Sequence, residues 1–440
     1  ENFGCRATEA DASALRRELL ASGLRLADDH ATAEVVVLNT CTVTAAADSQ
    51  ARDAVRKIHR ANPEARIVVT GCYAQRAPEE LAALDGVALV VGNSHQSQIP
   101  GLVRELRPAA DAPTDFIPLA RLEDDAMSLA RGPAKILTGD IFAQAGVNIS
   151  LSAGADASAT DRTRPILKIQ DGCSNRCSYC VIPFVRGRSR SLGPGAVVDE
   201  VRALVSAGAR EIVLSGINLG SYGRDLAPRA ALGDVVRRVL GETDLEQLRF
   251  SSIEPQDVTE DFVALVASSP RIAAHFHVPL QSGCDRILRA MHRWYRATHY
   301  AERVRLIRRL LPDAAIGADV IVGFPGETDA EFDATAEFIA ALPFTYLHVF
   351  SFSERPGTAA ANLGERVPAQ VIRERARALR ALGEQKAAAF RASQGGRSLR
   401  ALTLARGGDD WTEALTANYL KVRVPGRHPA NEWREAFVDN

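Results

Sequence analysis

The stretch "ILKIQDGCSNRCSYC" (166–180) decides how this chain is read. Its first half is a β-branched apolar run that reads as a buried strand. The run ends on Cys173, Cys177 and Cys180, in CxxxCxxC spacing. Three thiolates on one loop can bind three corners of a four-iron cube, which normally takes four. The missing ligand leaves a coordination position open, and an open position marks a site for chemistry rather than structure. Zinc is the competing occupant of such spacing. The first histidines downstream, His275 and His277, lie far along the chain, so no local fourth ligand closes a zinc site.

Outward from this loop, three further cysteines repeat the pattern in dispersed form. "EVVVLNTC" (34–41) and "RIVVTGC" (66–72) are β-branched runs ending in polar or small residues, and "ALVVGN" (88–93) is a third. Such runs are buried parallel strands, and a helical segment with Val55 and Ile58 at helical spacing separates the first two. The expectation for 1–108 is a small doubly wound α/β domain. Cys41 and Cys72 then lie just past strand carboxyl ends, where open α/β sheets bind ligands. Cys5 joins that edge if "NFGC" is the tail of a truncated strand. Three buried structural thiols are the alternative.

Segment 109–162 is Ala/Asp/Gly/Ser-rich and linker-like, except that "ILTGDIFAQAGVNISL" (136–151) is too apolar for pure linker; beyond it βα alternation resumes over 163–390. Its candidate strands are "ILKIQ", "EIVLSG", "LRFSSI", "HFHVPL", "IGADVIVG" and "YLHVFSF". Six βα units predict a partial, open-sided barrel with its functional residues after the strand ends. Residues 391–440, with the alternating "NYLKVRV", read as a small β-rich appendage. The 440 residues carry 46% hydrophobic and 24% charged residues and a net charge of −1. That is a globular composition with no global pull toward nucleic acid, so any such role must come from local basic patches. No stretch reaches the length of a membrane span. Seven cysteines without a secretory leader favour reduced thiols or metal ligands over disulfides, and a cytoplasmic setting is expected. The chain opens on Glu1 rather than methionine, which suggests a trimmed start.

CxxxCxxC with Tyr179 before the last cysteine, after the first strand of a partial barrel, resembles the radical S-adenosylmethionine superfamily. "NTCTVT" (39–44), "GCYAQ" (71–75), "SSIEP" (251–255), "HVPLQSG" (277–283), "DVIVGFPGET" (319–328) and "FSFSERPGTAA" (350–360) narrow the resemblance to the methylthiotransferase family. The resemblance implies two 4Fe-4S clusters. One, on Cys173, Cys177 and Cys180, chelates S-adenosylmethionine and cleaves it to a 5′-deoxyadenosyl radical. The other, on Cys5, Cys41 and Cys72, carries the sulfur to be inserted. One departure is Thr8, where the family usually has asparagine three residues after the first cysteine. The words around Cys41 and Cys72 look most like the branch that modifies N6-threonylcarbamoyladenosine beside the tRNA anticodon. Alternatives are the prenyl-adenosine branch, the branch acting on a ribosomal aspartate, and a non-catalytic iron–sulfur RNA-binding protein. An external electron donor and a sulfur source are implied as well.

Tyr179, Glu254 and the glycine-rich turn with Gly323, Gly326 and Glu327 are the candidate S-adenosylmethionine contacts. A capped or salt-bridged Glu254 and a plain tight turn are their structural readings. Arg186, Arg188 and Arg190, directly after the cysteine run, suit phosphate contacts. Residues 286–309 add eight arginines against the single acid Glu302. The tail "WTEALTANYLKVRV" (411–424) resembles a TRAM domain, a small RNA-binding β-barrel, in which Tyr419 and Trp411 would stack on bases or fill the core, with Lys421 nearby to contact RNA. Anaerobic reconstitution is expected to load about eight irons per chain, two four-iron cubes. Stoichiometric zinc in their place would overturn the cluster assignment.

Overall fold

The computed structural model describes residues 1–4, 6–106, 134–144 and 163–438. They form two units, 1–150 with 181–187 and 151–180 with 188–440.

The first unit is built on four parallel strands in the order β1-β2-β3-β4: Val35–Thr40, Arg66–Gly71, Val87–Gly92 and Lys135–Leu137. Alternate side chains feed two cores. On one face Val36, Leu38, Ile67, Val69 and Val90 meet Val55 and Ile58 of the helix Ala45–Ala61. On the other, Val68, Leu89 and Val91 meet Leu15 of Arg6–Ala21 and Ile99 and Val103 of Ile99–Glu105. Apolar burial on both faces explains why these strands read as unbroken hydrophobic runs. Each fully buried side chain of this size contributes about 1.5–3 kcal/mol. The backbone of Asn2 bridges Asn39 in parallel, so the first residues run beside β1.

The domain boundaries drawn from sequence need one correction here. Segment 109–162 is not wholly linker: Lys135–Leu137 is the fourth strand of the first sheet, paired with Leu89–Val91. Three residues are too few to show a period. The remainder of that segment, apart from residues 134–144, lies outside the described residues, as does Cys5.

The second unit contains all six expected barrel strands: β5 (Ile166–Asp171), β7 (Glu211–Gly216), β8 (Gln247–Phe250), β9 (His275–His277), β10 (Ala315–Val322) and β11 (Tyr346–Ser351). β5, β7 and β8 pair in parallel, as do β9, β10 and β11. Parallel bridges Leu248–Ile272 and Ser252–His277 join the two sets. A two-residue strand, β6 (Arg190–Ser191), runs antiparallel beside β5. One continuous core from Leu167 to Leu379 fills the space between strands and helices. A 25-residue helix, Ala369–Ser393, leads to four antiparallel strands in the order β14-β13-β12-β15. Their ranges are Ser398–Gly407 (β12), Trp411–Thr416 (β13), Lys421–Pro425 (β14) and Trp433–Phe437 (β15).

A buried ion pair ties this last sheet to the barrel. Arg249 of β8 meets Glu211 of β7 at 2.7 Å and donates to the carbonyls of Thr416 and Ala417 at 3.1 and 3.0 Å. Burial raises the Glu211 pKa, but Arg249 and Arg164 outweigh it and hold the carboxyl below its ordinary value. Removing one partner of such a pair strands the other charge, at about 3–5 kcal/mol. Arg249→Ala is therefore expected to lower the thermal midpoint by several degrees and loosen the C-terminal sheet, read by calorimetry and limited proteolysis.

Candidate functional site: two cysteine sites, each with a buried arginine

In the first unit the register Thr40↔Gly71 aligns the carboxyl ends of β1 and β2, so Cys41 and Cys72 follow at one sheet edge. Both are buried. Gly71 has φ +97°, and a Cβ there would stand 2.3 Å from the Thr40 carbonyl; only glycine lets the two chain ends approach this closely. Gly4 (φ +138°) repeats the arrangement: its added Cβ would lie 2.6 Å from Cys41 Cβ. The residue before Cys5 is thereby held against Cys41. Asn39 Nδ2 donates to the Thr8 carbonyl at 2.6 Å, so the backbone at the departure from the family pattern is anchored.

Cys72 has two donors that the sequence did not mark as its neighbours. Arg186 Nε lies 3.2 Å from its sulfur, and Asn93 Nδ2 lies 3.6 Å from it. Arg186 reaches Cys72 because residues 181–187 belong to the first unit, where Val181 and Val185 pack against Cys72. Its guanidinium is 2% exposed and pairs with buried Asp11 at 2.7 Å. The expected phosphate contact at Arg186 is therefore corrected: the side chain is enclosed, with its charge committed to Asp11 and Cys72. Arg188 is exposed, as expected, while Arg190 is buried on β6 with its guanidinium 4.0 Å from Asp171.

In the second unit Cys173, Cys177 and Cys180 follow β5 on one loop. The loop is pinned by Ser178, whose N–H and hydroxyl donate to the Met291 and Ala290 carbonyls at 3.0 and 2.7 Å. Arg293, unmarked in sequence except as one of eight arginines, donates to Cys177 Sγ at 3.3 Å. Glu254 pairs with this same arginine. Burial pushes the Glu254 carboxyl up, opposed by Arg293. Glu254 is thus salt-bridged, the structural alternative for that residue. Tyr179 joins the apolar cluster of Ile287, Met291 and Phe324, and burial drives its hydroxyl well above the usual range.

The glycine-rich turn after β10 is a tight turn. Gly323 and Gly326 have φ +75° and +77°, and a Cβ on Gly323 would lie 2.4 Å from Ile372. Glu327 accepts from the Gly323 N–H at 2.7 Å and pairs with buried Arg375 at 2.7 Å. Its carboxylate closes the turn, as in the plain tight-turn reading. Tyr419 takes up packing contacts. Its ring stacks on His275 at 4.1 Å and 17°, beside Tyr346, so both faces are not free for a base. Lys421 is exposed and paired with Glu413 at 3.1 Å.

The cysteine loop after β5 fits an iron–sulfur cluster. Burial pushes the Cys173 thiol up to about 11, so it would lose its proton to a bound metal rather than to water. Metal-bound sulfurs in turn are tuned by hydrogen-bond donors in the next shell, the position that Arg186 and Arg293 hold. One grouping within the described residues offers non-sulfur ligand atoms, His277, Asp319 and His348.

Comparisons with known proteins agree with this geometry. The model described as "Uncharacterized protein family UPF0004" matches residues 1–92, and that of the radical SAM superfamily matches 167–339. A threonylcarbamoyladenosine tRNA methylthiotransferase of Aquifex aeolicus is 35% identical, over 97% of this chain and 96% of its own. A tRNA-2-methylthio-N(6)-dimethylallyladenosine synthase of Thermobifida fusca is 35% identical over 87% and 73%. Among solved structures, the radical S-adenosylmethionine methyltransferase TsrM of Kitasatospora setae shares the fold, with TM-score 0.54 at 18% identity over 80% and 73% of the two chains. Two cysteine sites at strand carboxyl ends, a parallel barrel and identity along nearly the full length place this chain in the radical S-adenosylmethionine methylthiotransferase family, with its threonylcarbamoyladenosine branch.

Proposed function

We propose that the protein inserts a methylthio group at C2 of N6-threonylcarbamoyladenosine beside the anticodon of tRNA. The observation that carries this reading is the 35% identity to the Aquifex aeolicus threonylcarbamoyladenosine enzyme across 97% of the chain. Cys173, Cys177 and Cys180 would hold one four-iron cluster, and Cys41 and Cys72, with Cys5, a second. When bound, the first supplies low-potential electrons and an exchangeable iron for S-adenosylmethionine, and the second a sulfur to transfer. The chain's own part is to fix these ligands. Arg293, neutralised by Glu254, orients Cys177; Arg186, neutralised by Asp11, orients Cys72. An external reductant and a sulfur source complete the reaction, and a tRNA substrate sets the work in the cytoplasm. No helix among the described residues is long and apolar enough to cross a membrane.

RNA contact is supported by the basic stretch 286–309, with an aromatic that the charge count does not mark. Trp294 is 76% exposed, next in sequence to Arg293. Arg289 and Arg296 are exposed on either side of it. An exposed aromatic among arginines suits base stacking with phosphate neutralisation. Arg188 and Lys421 add charge at the surface. The prenyl-adenosine reading keeps second place, because the Thermobifida fusca synthase is equally identical over a shorter share of the chain.

Nucleoside mass spectrometry of tRNA from a deletion strain tests the substrate. Loss of the methylthio form of threonylcarbamoyladenosine is expected, and its persistence without a second enzyme would overturn the assignment. Cys41→Ala should abolish methylthiolation while retaining some reductive cleavage of S-adenosylmethionine; equal loss of both argues against separate roles for the two sites. Arg186→Met leaves Asp11 charged and buried, at about 3–5 kcal/mol. Its iron content after anaerobic desalting should fall toward half of wild type, read by colorimetric iron assay.

A further inference from the structure

A row of polar side chains crosses β9, β10 and β11 and takes no part in the cysteine sites. In register, His277 sits beside Gly317 and Asp319 beside His348. Residues two apart on a strand share a face, so Asp319 shares the face of Gly317 and stands next to both histidines. Leu347 and Val349 of β11 pack into the apolar core on the helix side, which leaves His348 on the inner side of the barrel. Three adjacent strands thus bring two imidazoles and a carboxylate to one point of the inner face.

Asp319 Oδ1 lies 3.1 Å from His277 Nε2 and 3.2 Å from His348 Nδ1, and the three atoms lie within 4.8 Å of one another. A tetrahedral ion with bonds of about 2.0–2.1 Å sets its ligand atoms about 3.3 Å apart. Both measured edges fit one ion between the three side chains. Hydrogen bonding accounts for only part of the grouping, the contact of His348 with Asp319. His277 differs: its Nδ1 meets Ser252 Oγ at 2.7 Å, while its Nε2 is buried and makes no hydrogen bond among the described residues. A buried polar atom without a hydrogen bond is rare and calls for another partner. With Nδ1–H donated to Ser252, Nε2 turns a lone pair toward the carboxylate, and a cation between them makes that contact attractive. A hydroxyl on the far ring nitrogen is the outer contact that metal-bound histidines carry.

We infer that His277 Nε2, Asp319 Oδ1 and His348 Nδ1 form a mononuclear site for a divalent transition metal, one that uses none of the cysteines. Two imidazoles and one carboxylate suit zinc or ferrous iron, whereas magnesium and calcium take oxygen ligands. Three protein ligands leave a coordination position open. His348 is 49% exposed, so solvent reaches the site and the open position takes an oxygen ligand, from water or a substrate. The inference stands whichever nucleoside the enzyme modifies.

Zinc binding to the cluster-loaded enzyme tests this, since the cysteines are then occupied. After incubation with equimolar zinc chloride and anaerobic desalting, wild type should keep about one zinc per chain with its iron unchanged, read by plasma mass spectrometry. X-ray absorption at the zinc edge should show nitrogen and oxygen at about 2.0–2.1 Å, with imidazole scattering beyond. His348→Ala and Asp319→Asn should each lose the zinc while keeping wild-type iron. Ser252→Ala should weaken zinc binding by about 10- to 100-fold. No zinc on wild type overturns the inference, as does zinc retained undiminished in either variant. A sulfur shell at about 2.3 Å also overturns it, because the zinc then sits on cysteine. Where one variant loses its iron as well, the other variant and the wild-type spectrum decide.

Discussion

A buried arginine, held by a carboxylate and aimed at a cysteine sulfur, is the interaction on which each site depends. Arg186 with Asp11 does this for Cys72, and Arg293 with Glu254 does it for Cys177. A guanidinium alone in an apolar interior is costly, and a carboxylate alone is equally so. Paired, they form a net-neutral unit that still points N–H donors at sulfur. Such donors favour the ionised sulfur that a metal requires and fix its direction.

The surrounding fold is what makes such pairs possible. Parallel strands deliver loops to one edge, and glycine at Gly71 and Gly4 removes the side chains that would keep the chain ends apart. The second unit follows the same logic, with the cysteine loop clamped by backbone acceptors at Ala290 and Met291 next to the arginine that serves it. Charge is used twice in this chain. Enclosed arginines organise sulfur, while Arg188, Arg289 and Arg296 remain at the surface, where a polyanion could meet them.

Much of the fold was legible in local pattern. Three strands of the first sheet appear as β-branched runs, because both faces are buried; the barrel strands were placed by alternation with helical segments, although Arg249, His275 and His277 lie on β8 and β9. The fourth strand, Lys135–Leu137, opens a run that is too apolar for linker but too short to show a period, so pattern alone does not identify it as a strand. Long basic side chains were the main source of error. Sequence treats "RGRSR" as a solvated cationic patch, yet Arg186 is enclosed because its partner Asp11 lies 175 residues away. Of the two readings open for Tyr419, base stacking and packing, the contact with His275 of the barrel favours packing. Trp294, the exposed aromatic among arginines, carried no signal beyond its charged neighbours.

What the sequence set by itself was where its cysteines fall relative to the strands: Cys173, Cys177 and Cys180 on the loop after β5, Cys41 and Cys72 directly after β1 and β2. Those are local properties, set by residue type, spacing and hydrophobic period. Only the tertiary structure decided which way each charged or aromatic side chain turns. Glu254 turns to Arg293, Glu327 to Arg375, and His348 shares Asp319 with His277. The physical reason is that burial of a polar group is settled by its partner, and these partners come from distant parts of the chain that only folding brings within hydrogen-bond reach.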